Sequence, residues 1–315
     1  MSTFTIAIHG GAGTILKEDM TPELEKAYMD ALNDALEAGY GVLQRGGSAV
    51  NAVKAACILL EDNVLFNAGR GSVFTKQGLQ EMDAAIMDGA NLDAGAVAGV
   101  RNVRNPIALA IEVMQHSNHV FLSGQGANDF ALQQGIKLEA DDYFYSQFRY
   151  DQWKAVKDTD DYVMDHQHES KDELIRDKKF GTVGAVACDS NGNIAAATST
   201  GGMTNKKWGR IGDSPLIGAG TYANNATCAI SCTGHGELFI RSVAAYDVSC
   251  LMEYKGLSLQ DAMDIVVRDK LVKIGGEGGM IGVDAKGNFA MPFNSAGMYR
   301  GAKSSMGRFE VLIYK

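Results

Sequence analysis

Lys178-Lys179-Phe180-Gly181-Thr182-Val183-Gly184-Ala185-Val186-Ala187-Cys188 is where the chain changes character most abruptly. Before it lies a charged segment free of Gly and Pro. After it comes an unbroken run of small apolar residues, as long as a strand buried on both faces. Thr182 stands at the junction. Within an uninterrupted strand it is an ordinary β-branched residue. If the Gly181–Thr182 bond is cut, however, Thr182 carries a free α-amine beside its own hydroxyl, placing base and nucleophile in one residue. An α-amine titrates at about 7.7–8.0, close to working pH, which suits a general base.

The 315 residues, 46% of them hydrophobic, suffice for one large core. A net charge of −9 argues against nucleic acid and anionic membrane as partners. Five cysteines, an odd number without a CxxC pair, fit reduced thiols and a cytoplasmic setting. No basic leader or membrane-length apolar run is evident.

In chain order, Phe4–Ile8 reads as a strand entering a loop, His9-Gly10-Gly11-Ala12-Gly13. Thr21-Pro22 opens a helix, and Gly46-Gly47-Ser48 breaks it and caps a second. Strands are expected at Ala84–Met87 and Ala94–Val100, with helix, strand and helix filling Ile107–Leu132. The stretch from Trp153 to Phe180 is rich in Asp, Glu and Lys and poor in apolar residues, so a solvated, mobile linker over about 154–181 is expected. Its His166 and His168 have no further ligand at metal spacing.

Beyond Thr182 the chain is strand-rich. Asp189-Ser190-Asn191-Gly192-Asn193 and Asp284-Ala285-Lys286-Gly287-Asn288 share one hairpin spacing. Thr227–Thr233 reads as a strand, Leu238–Tyr254 and Leu259–Leu271 as helices. The pattern suggests two stacked sheets covered by helices. Gly218-Ala219-Gly220-Thr221-Tyr222-Ala223 matches a dinucleotide fingerprint but leads into a β-branched run rather than a helix, and is rejected.

The hydroxyls of Thr198-Ser199-Thr200 end the strand expected beside Thr182. Arg210 and Asp213 share a Gly-bounded loop; they either clamp an amino-acid zwitterion or pair with each other. Gly234, between a strand and a helix, is either an oxyanion donor or a plain helix cap.

With these residues in view, the chain resembles the plant-type asparaginase/isoaspartyl peptidases of the N-terminal nucleophile hydrolase superfamily. The matching motifs are Ile8–Gly13, Leu65–Gly69, Met82-Asp83-Ala84 with Met87-Asp88-Gly89, Gly181–Gly184, Ser199–Gly202, Gly209–Pro215 and Thr233-Gly234. They run in order from Phe4 to about Arg300. The resemblance implies a four-layer αββα sandwich, one domain over residues 1–315, made as a precursor. Autocleavage before Thr182 would give an α-chain (1–181) and a β-chain (182–315), assembled as a dimer of such pairs.

It further implies Thr182 as nucleophile, with Thr200 as its hydroxyl neighbour. Arg210 and Asp213 would hold the α-carboxylate and α-amine of a small substrate, an isoaspartyl dipeptide or asparagine. Thr233 and Gly234 would form the oxyanion hole, and Asn67 would lie close by. No organic cofactor is implied. A structural sodium ion is, on main-chain carbonyls of Leu60, Glu61, Asn63, Phe66, Ala68 and Arg70. His235 stands where a small polar residue is more usual, and Lys303–Lys315 matches nothing. A glycosylasparaginase-type amidase is the alternative reading, although that group typically has Asp before its threonine where this chain has Gly181. An uncleaved, inert binding protein on the same scaffold is the other.

Overall fold

The computed structural model describes residues 3–159 and 181–315. Strand β1 (Thr5–Gly13) leads into helices α1 (Pro22–Gln44) and α2 (Ala49–Asp62). Thr21 and Ser48 cap these helices by accepting from Leu24 N and Asn51 N. Then follow β2 (Met82–Asp88), β3 (Ala94–Val100), α3 (Pro106–His116), β4 (Phe121–Ser123), α4 (Gly124–Gln133), α5 (Asp141–Phe144) and α6 (Gln147–Val156). After Thr182 come β5 (Val183–Cys188), β6 (Ile194–Thr200), β7 (Thr221–Ala223) and β8 (Cys228–Gly234). Helices α7 (Gly236–Ser242), α8 (Ala244–Lys255), α9 (Leu259–Asp264) and α10 (Leu271–Lys273) precede β9 (Gly278–Asp284), β10 (Phe289–Ala290), β11 (Gly297–Ser304) and β12 (Phe309–Tyr314).

Eight strands form one sheet in the order β12-β11-β1-β5-β6-β2-β3-β4, and four form another, β10-β9-β8-β7. All pairings are antiparallel except β3 with β4. Alternation along β5 shows how the layers stack. Val183, Ala185 and Ala187 join the core beneath α1, α2 and α3, whereas Val186 and Cys188 face the other way and pack between the sheets. The layer between the sheets is built largely from small residues, including Ala7, Ala12, Ala196, Ala223, Ala229 and Ala302. A third core under α7–α10 covers the outer face of the smaller sheet. The architecture is therefore the αββα sandwich expected. Strand β1 lies between β11 and β5, so segments from both sides of Thr182 share one sheet.

Both hairpins form at their expected places. Asp189 Oδ1 accepts from Asn191 N and Asn193 N, Asp284 Oδ1 accepts from Lys286 N and Asn288 N, and Gly192 and Gly287 adopt φ of 80° and 81°. The rejected fingerprint runs into β7, without a helix.

Three expectations are corrected. His9–Gly13 is strand, not loop, because it continues to pair with β11 as far as Gly13 opposite Gly297, around a bulge at Gly10. The helix expected over Leu238–Tyr254 breaks at Val243, which takes a left-handed φ of 49°. The carbonyls of Ala219 and Gly218 accept from Ala245 N and Tyr246 N there and start a new helix. The linker begins later than position 154, since α6 runs to Val156, which is buried, and Trp153 packs on Phe74 and Tyr150. The rest of that linker, with His166 and His168, lies outside the described residues. The C-terminal segment that matched nothing is the end of β11 and all of β12, the edge strand of the large sheet.

Candidate active site

Antiparallel pairing of β5 with β6 sets Val183 opposite Ser199, which places the chain just before β5 beside Thr200. The Thr182 hydroxyl lies 3.3 Å from Thr200 Oγ1 and donates to it. Thr200 in turn donates to the Gly181 carbonyl oxygen at 2.9 Å and accepts from Gly202 N at 2.9 Å. One hydroxyl thus touches both the Thr182 hydroxyl and the Gly181 carbonyl next to it. Asn67 packs against Gly181; its Nδ2 donates to the Gly202 carbonyl (2.7 Å) and its own carbonyl accepts from Gly201 N (2.9 Å).

Gly181, Thr182, Thr200, Gly202, Met203, Arg210, Gly212, Asp213, Ser214, Gly234 and Gly236 line a single pocket of about 20 Å³, room for about one water. Six residues singled out in the sequence therefore converge. Thr233 lies just behind the wall, fully buried, its hydroxyl accepting from Ala12 N at 3.2 Å. Gly234 is corrected in one respect: it ends β8, paired with Gly278, and α7 begins only at Gly236. Strand pairing, rather than a helix end, orients it.

Arg210 and Asp213 do not pair with each other within salt-bridge distance. Arg210 is held instead by Glu237, Nε to Oε1 and Nη2 to Oε2, each at 2.8 Å. This grip leaves Nη1 on the far side of the planar fork. Glu237 titrates low: burial opposes this, but the Arg210 hydrogen bond and charge outweigh it. His235 Nε2 lies 3.6 Å from the same carboxylate. Asp213 is buried, and its Oδ2 has no hydrogen-bond partner among the described residues. Burial pushes its carboxyl up to about 7, against the opposing pull of Arg210. A buried, unpaired carboxylate in a pocket wall is costly unless a cation arrives.

In the loop after α2 the carbonyls of Leu60, Asn63 and Ala68 accept from Asn63 N (3.4 Å), Phe66 N (3.3 Å) and Gly71 N (3.1 Å). Leu60 and Glu61 also stand at the negative end of α2. Phe66 and Arg70 lie on the same loop, and carbonyl oxygens are the donor type that a hard cation takes. The Glu61 side chain faces inward instead: Oε1 accepts from Ser199 Oγ (2.6 Å) and Ile107 N (2.9 Å), and burial raises its pKa to about 8. Glu61 thereby fastens α2 to β6 next to Thr200.

Sequence reasoning missed Glu237, whose signal is a carboxylate two residues beyond the His235 position. It also missed Asp83 and Lys206. Asp83 is fully buried opposite Thr200 in the β2–β6 register, and Lys206 donates to the Glu81 carbonyl at 2.8 Å. The Met82-Asp83-Ala84 motif was noticed, but not that its carboxyl would be interior.

The sequence profile of Asparaginase_2, a family described as asparaginase, matches residues 2–313. An isoaspartyl peptidase from Salmonella typhimurium is 54% identical over 300 residues, covering 95% of each chain. An Escherichia coli isoaspartyl peptidase is 51% identical over 300 residues, 95% of this chain and 92% of that one. A human isoaspartyl peptidase/L-asparaginase is 39% identical over 295 residues, 93% and 91% respectively.

Proposed function

The chain belongs to the Asparaginase_2 family, a family of hydrolases, and from that premise we propose that it cuts itself before Thr182 and then hydrolyses β-aspartyl amide bonds. The observation that carries this reading is the single hydroxyl of Thr200 shared between Thr182 Oγ1 and the Gly181 carbonyl. In the first reaction Thr182 Oγ1 attacks the Gly181 carbonyl carbon. Thr200 donates to the oxygen on which negative charge gathers. The C–N bond then breaks, the nitrogen takes up the proton that Oγ1 gave up and leaves as the α-amine of Thr182, and water hydrolyses the remaining ester. With Gly181 in place the pocket is too small for a substrate, so departure of the segment ending there opens the site.

The second reaction reuses the same atoms. The free α-amine takes the Thr182 hydroxyl proton, Oγ1 attacks the β-carbonyl of the substrate, and the amine product leaves with that proton. The Gly234 N–H and the Thr233 hydroxyl support the oxyanion, and water releases aspartate from the acyl-enzyme. Arg210, held from behind by Glu237, receives the α-carboxylate; the unpaired Asp213 carboxylate receives the α-ammonium. Both charges are met only when the α-carboxylate and α-amine are free, as in β-linked aspartyl dipeptides and asparagine. A sodium ion on the carbonyls of Leu60, Glu61, Asn63, Phe66, Ala68 and Arg70 would stiffen the loop carrying Asn67. The processed protein would be a dimer of αβ pairs acting in the cytoplasm. The glycosylasparaginase-type and inert-binder alternatives have no observation in their favour here.

The test is intact mass and turnover for wild type and Thr182→Ala. Wild type should give two chains split at Gly181–Thr182 and should cleave β-Asp-Leu but not α-Asp-Leu. The variant should stay whole and inactive. A variant cut at the same bond, or equal turnover of the two dipeptides, would refute the reading.

A further inference from the structure

Behind Thr182, away from the pocket, a row of buried polar side chains crosses the layer between the sheets. His9 on β1 and Thr198 on β6 flank Gly184 of β5, the three standing side by side in register. Ser231 on β8 and Thr221 on β7 are likewise opposite each other in the smaller sheet. All four polar residues are fully buried. A Cβ at Gly184 would fall 2.0 Å from Ser231 Oγ and 2.4 Å from His9 Nε2, so the glycine leaves the space in which these two meet.

The hydrogen bonds in this row have a forced direction. His9 Nδ1 is 3.0 Å from the Thr182 carbonyl oxygen, which only accepts, so Nδ1 carries the proton. Burial lowers the imidazole pKa to about 3, so the ring is neutral and Nε2 must accept. Ser231 Oγ, 2.9 Å away, therefore donates to Nε2. With that proton committed, the 2.7 Å contact between Ser231 and Thr198 needs the Thr198 proton, and the 2.6 Å contact between Thr198 and Thr221 needs that of Thr221. The Gly220 carbonyl, 3.3 Å from Thr198, and the Ser214 carbonyl, 3.0 Å from Thr221, are the competing acceptors.

We propose that His9 is a positioning residue for the nucleophile, its tautomer set by Ser231, Thr198 and Thr221, and that it fixes the Thr182 carbonyl once the chain ahead of Thr182 has been cut. The inference rests on Thr182 being the nucleophile. After cleavage Thr182 has lost its peptide link to Gly181, and its backbone is held only from the carbonyl side. That carbonyl sets the torsion that aims both the α-amine and, through Cα, Oγ1. A displacement of about 1 Å in a reacting group can cost about 100-fold in rate. The row also joins the two products, since His9 belongs to the N-terminal piece and the other three residues to the C-terminal one.

His9→Asn and His9→Gln separate positioning from simple packing. The Asn amide nitrogen takes the place of Nδ1 and still donates to the Thr182 carbonyl. The Gln amide nitrogen takes the place of Nε2 and does not. Steady-state rates per mole of free Thr182 α-amine, counted by intact mass, should show kcat within about fivefold of wild type for His9→Asn and a loss of about 10–100-fold for His9→Gln, with KM unchanged. Ser231→Ala, a small change that leaves His9 in place, should lose about tenfold in kcat while keeping its melting temperature within a few degrees. A packing role gives the reverse order, because Gln fills the histidine space better than Asn. His9→Gln matching or exceeding His9→Asn, wild-type kcat in Ser231→Ala, or losses confined to KM would each overturn the proposal. Thr182→Ala is measured in parallel. Turnover by that variant would remove the nucleophile and this role with it, whereas an inactive Thr182→Ala beside fully active His9 variants removes the positioning role alone.

Discussion

Acidifying the processed enzyme from pH 7 to pH 5 should disable substrate capture through Asp213 in addition to any effect on the nucleophile. In the uncut chain burial pushes this carboxyl up to about 7, and the processed enzyme is expected to keep it there. At pH 5 about one molecule in a hundred carries the charge that an α-ammonium needs. Restoring it costs about 2.7 kcal/mol, two units at about 1.36 kcal/mol each. The loss falls on kcat/KM, which reports the free enzyme, and is absent from kcat, since bound ammonium keeps the group ionised. The Thr182 α-amine titrates in the same direction and lies at the same pocket, so the two titrate as a pair and the slope is the readout rather than either midpoint. Log kcat/KM for β-Asp-Leu should rise with a slope near two between pH 5 and 7. Asp213→Asn should be weaker throughout and rise with a slope near one. The stability of the empty enzyme runs the other way. With the folded pKa raised, the native state holds an extra proton between about pH 4 and 7, so stability declines as pH rises through that window and levels off above it. A wild-type slope of one or less would mean that Asp213 is already ionised in the empty site, and the argument from burial would fail.

Arg210→Lys keeps a positive charge but cannot grip Glu237 through two parallel bonds while facing substrate, and kcat/KM should fall by about 1.5–3 kcal/mol, roughly 13–160-fold; an unchanged value would remove the clamp. Glu61→Gln should change the pH dependence of stability: the wild-type carboxyl is held up to about 8, so between pH 5 and 8 the variant should gain on wild type by up to about 1.4 kcal/mol per unit in urea titrations, and a pH-independent difference would contradict this. Replacing all Na⁺ by a large organic cation should lower both the melting temperature and turnover, the former by a few degrees, while Asn63→Ala should matter little because the ligands are main-chain; indifference to sodium would count against an ion on the loop from Leu60 to Arg70.

The parts of this molecule that could be read from its sequence are those governed by local chemistry. The apolar run from Val183 to Cys188 could only be a strand buried on both faces, and two Asp–Gly-Asn turns of equal spacing announced their hairpins. The hairpin then brought Thr200 to Thr182 without further information. What stayed hidden depends on partners distant in the chain. His9–Gly13 looks like a glycine loop until β11, nearly 290 residues later, supplies pairing partners. Val243 interrupts a helix because the Gly218 and Ala219 carbonyls are waiting for N–H groups, which no local pattern reveals.

The same distinction explains which site residues were missed. Arg210 and Asp213 are close in sequence and invited the reading of a mutual salt bridge, yet each has a different fate. Arg210 is saturated on one edge by Glu237, and Asp213 is left with an unpaired oxygen. Had the two paired, a zwitterion would have to break that pair before binding. With Glu237 as a third member, Arg210 is fixed in orientation without Asp213 being neutralised. The pocket thus presents one oriented cation and one carboxyl whose ionisation burial opposes and an ammonium would favour. A substrate lacking either α-charge gains only half of that exchange. Under the proposed function, selection for an amino-acid head group would follow from leaving one carboxyl unsatisfied, with Glu237 as the residue that makes this possible.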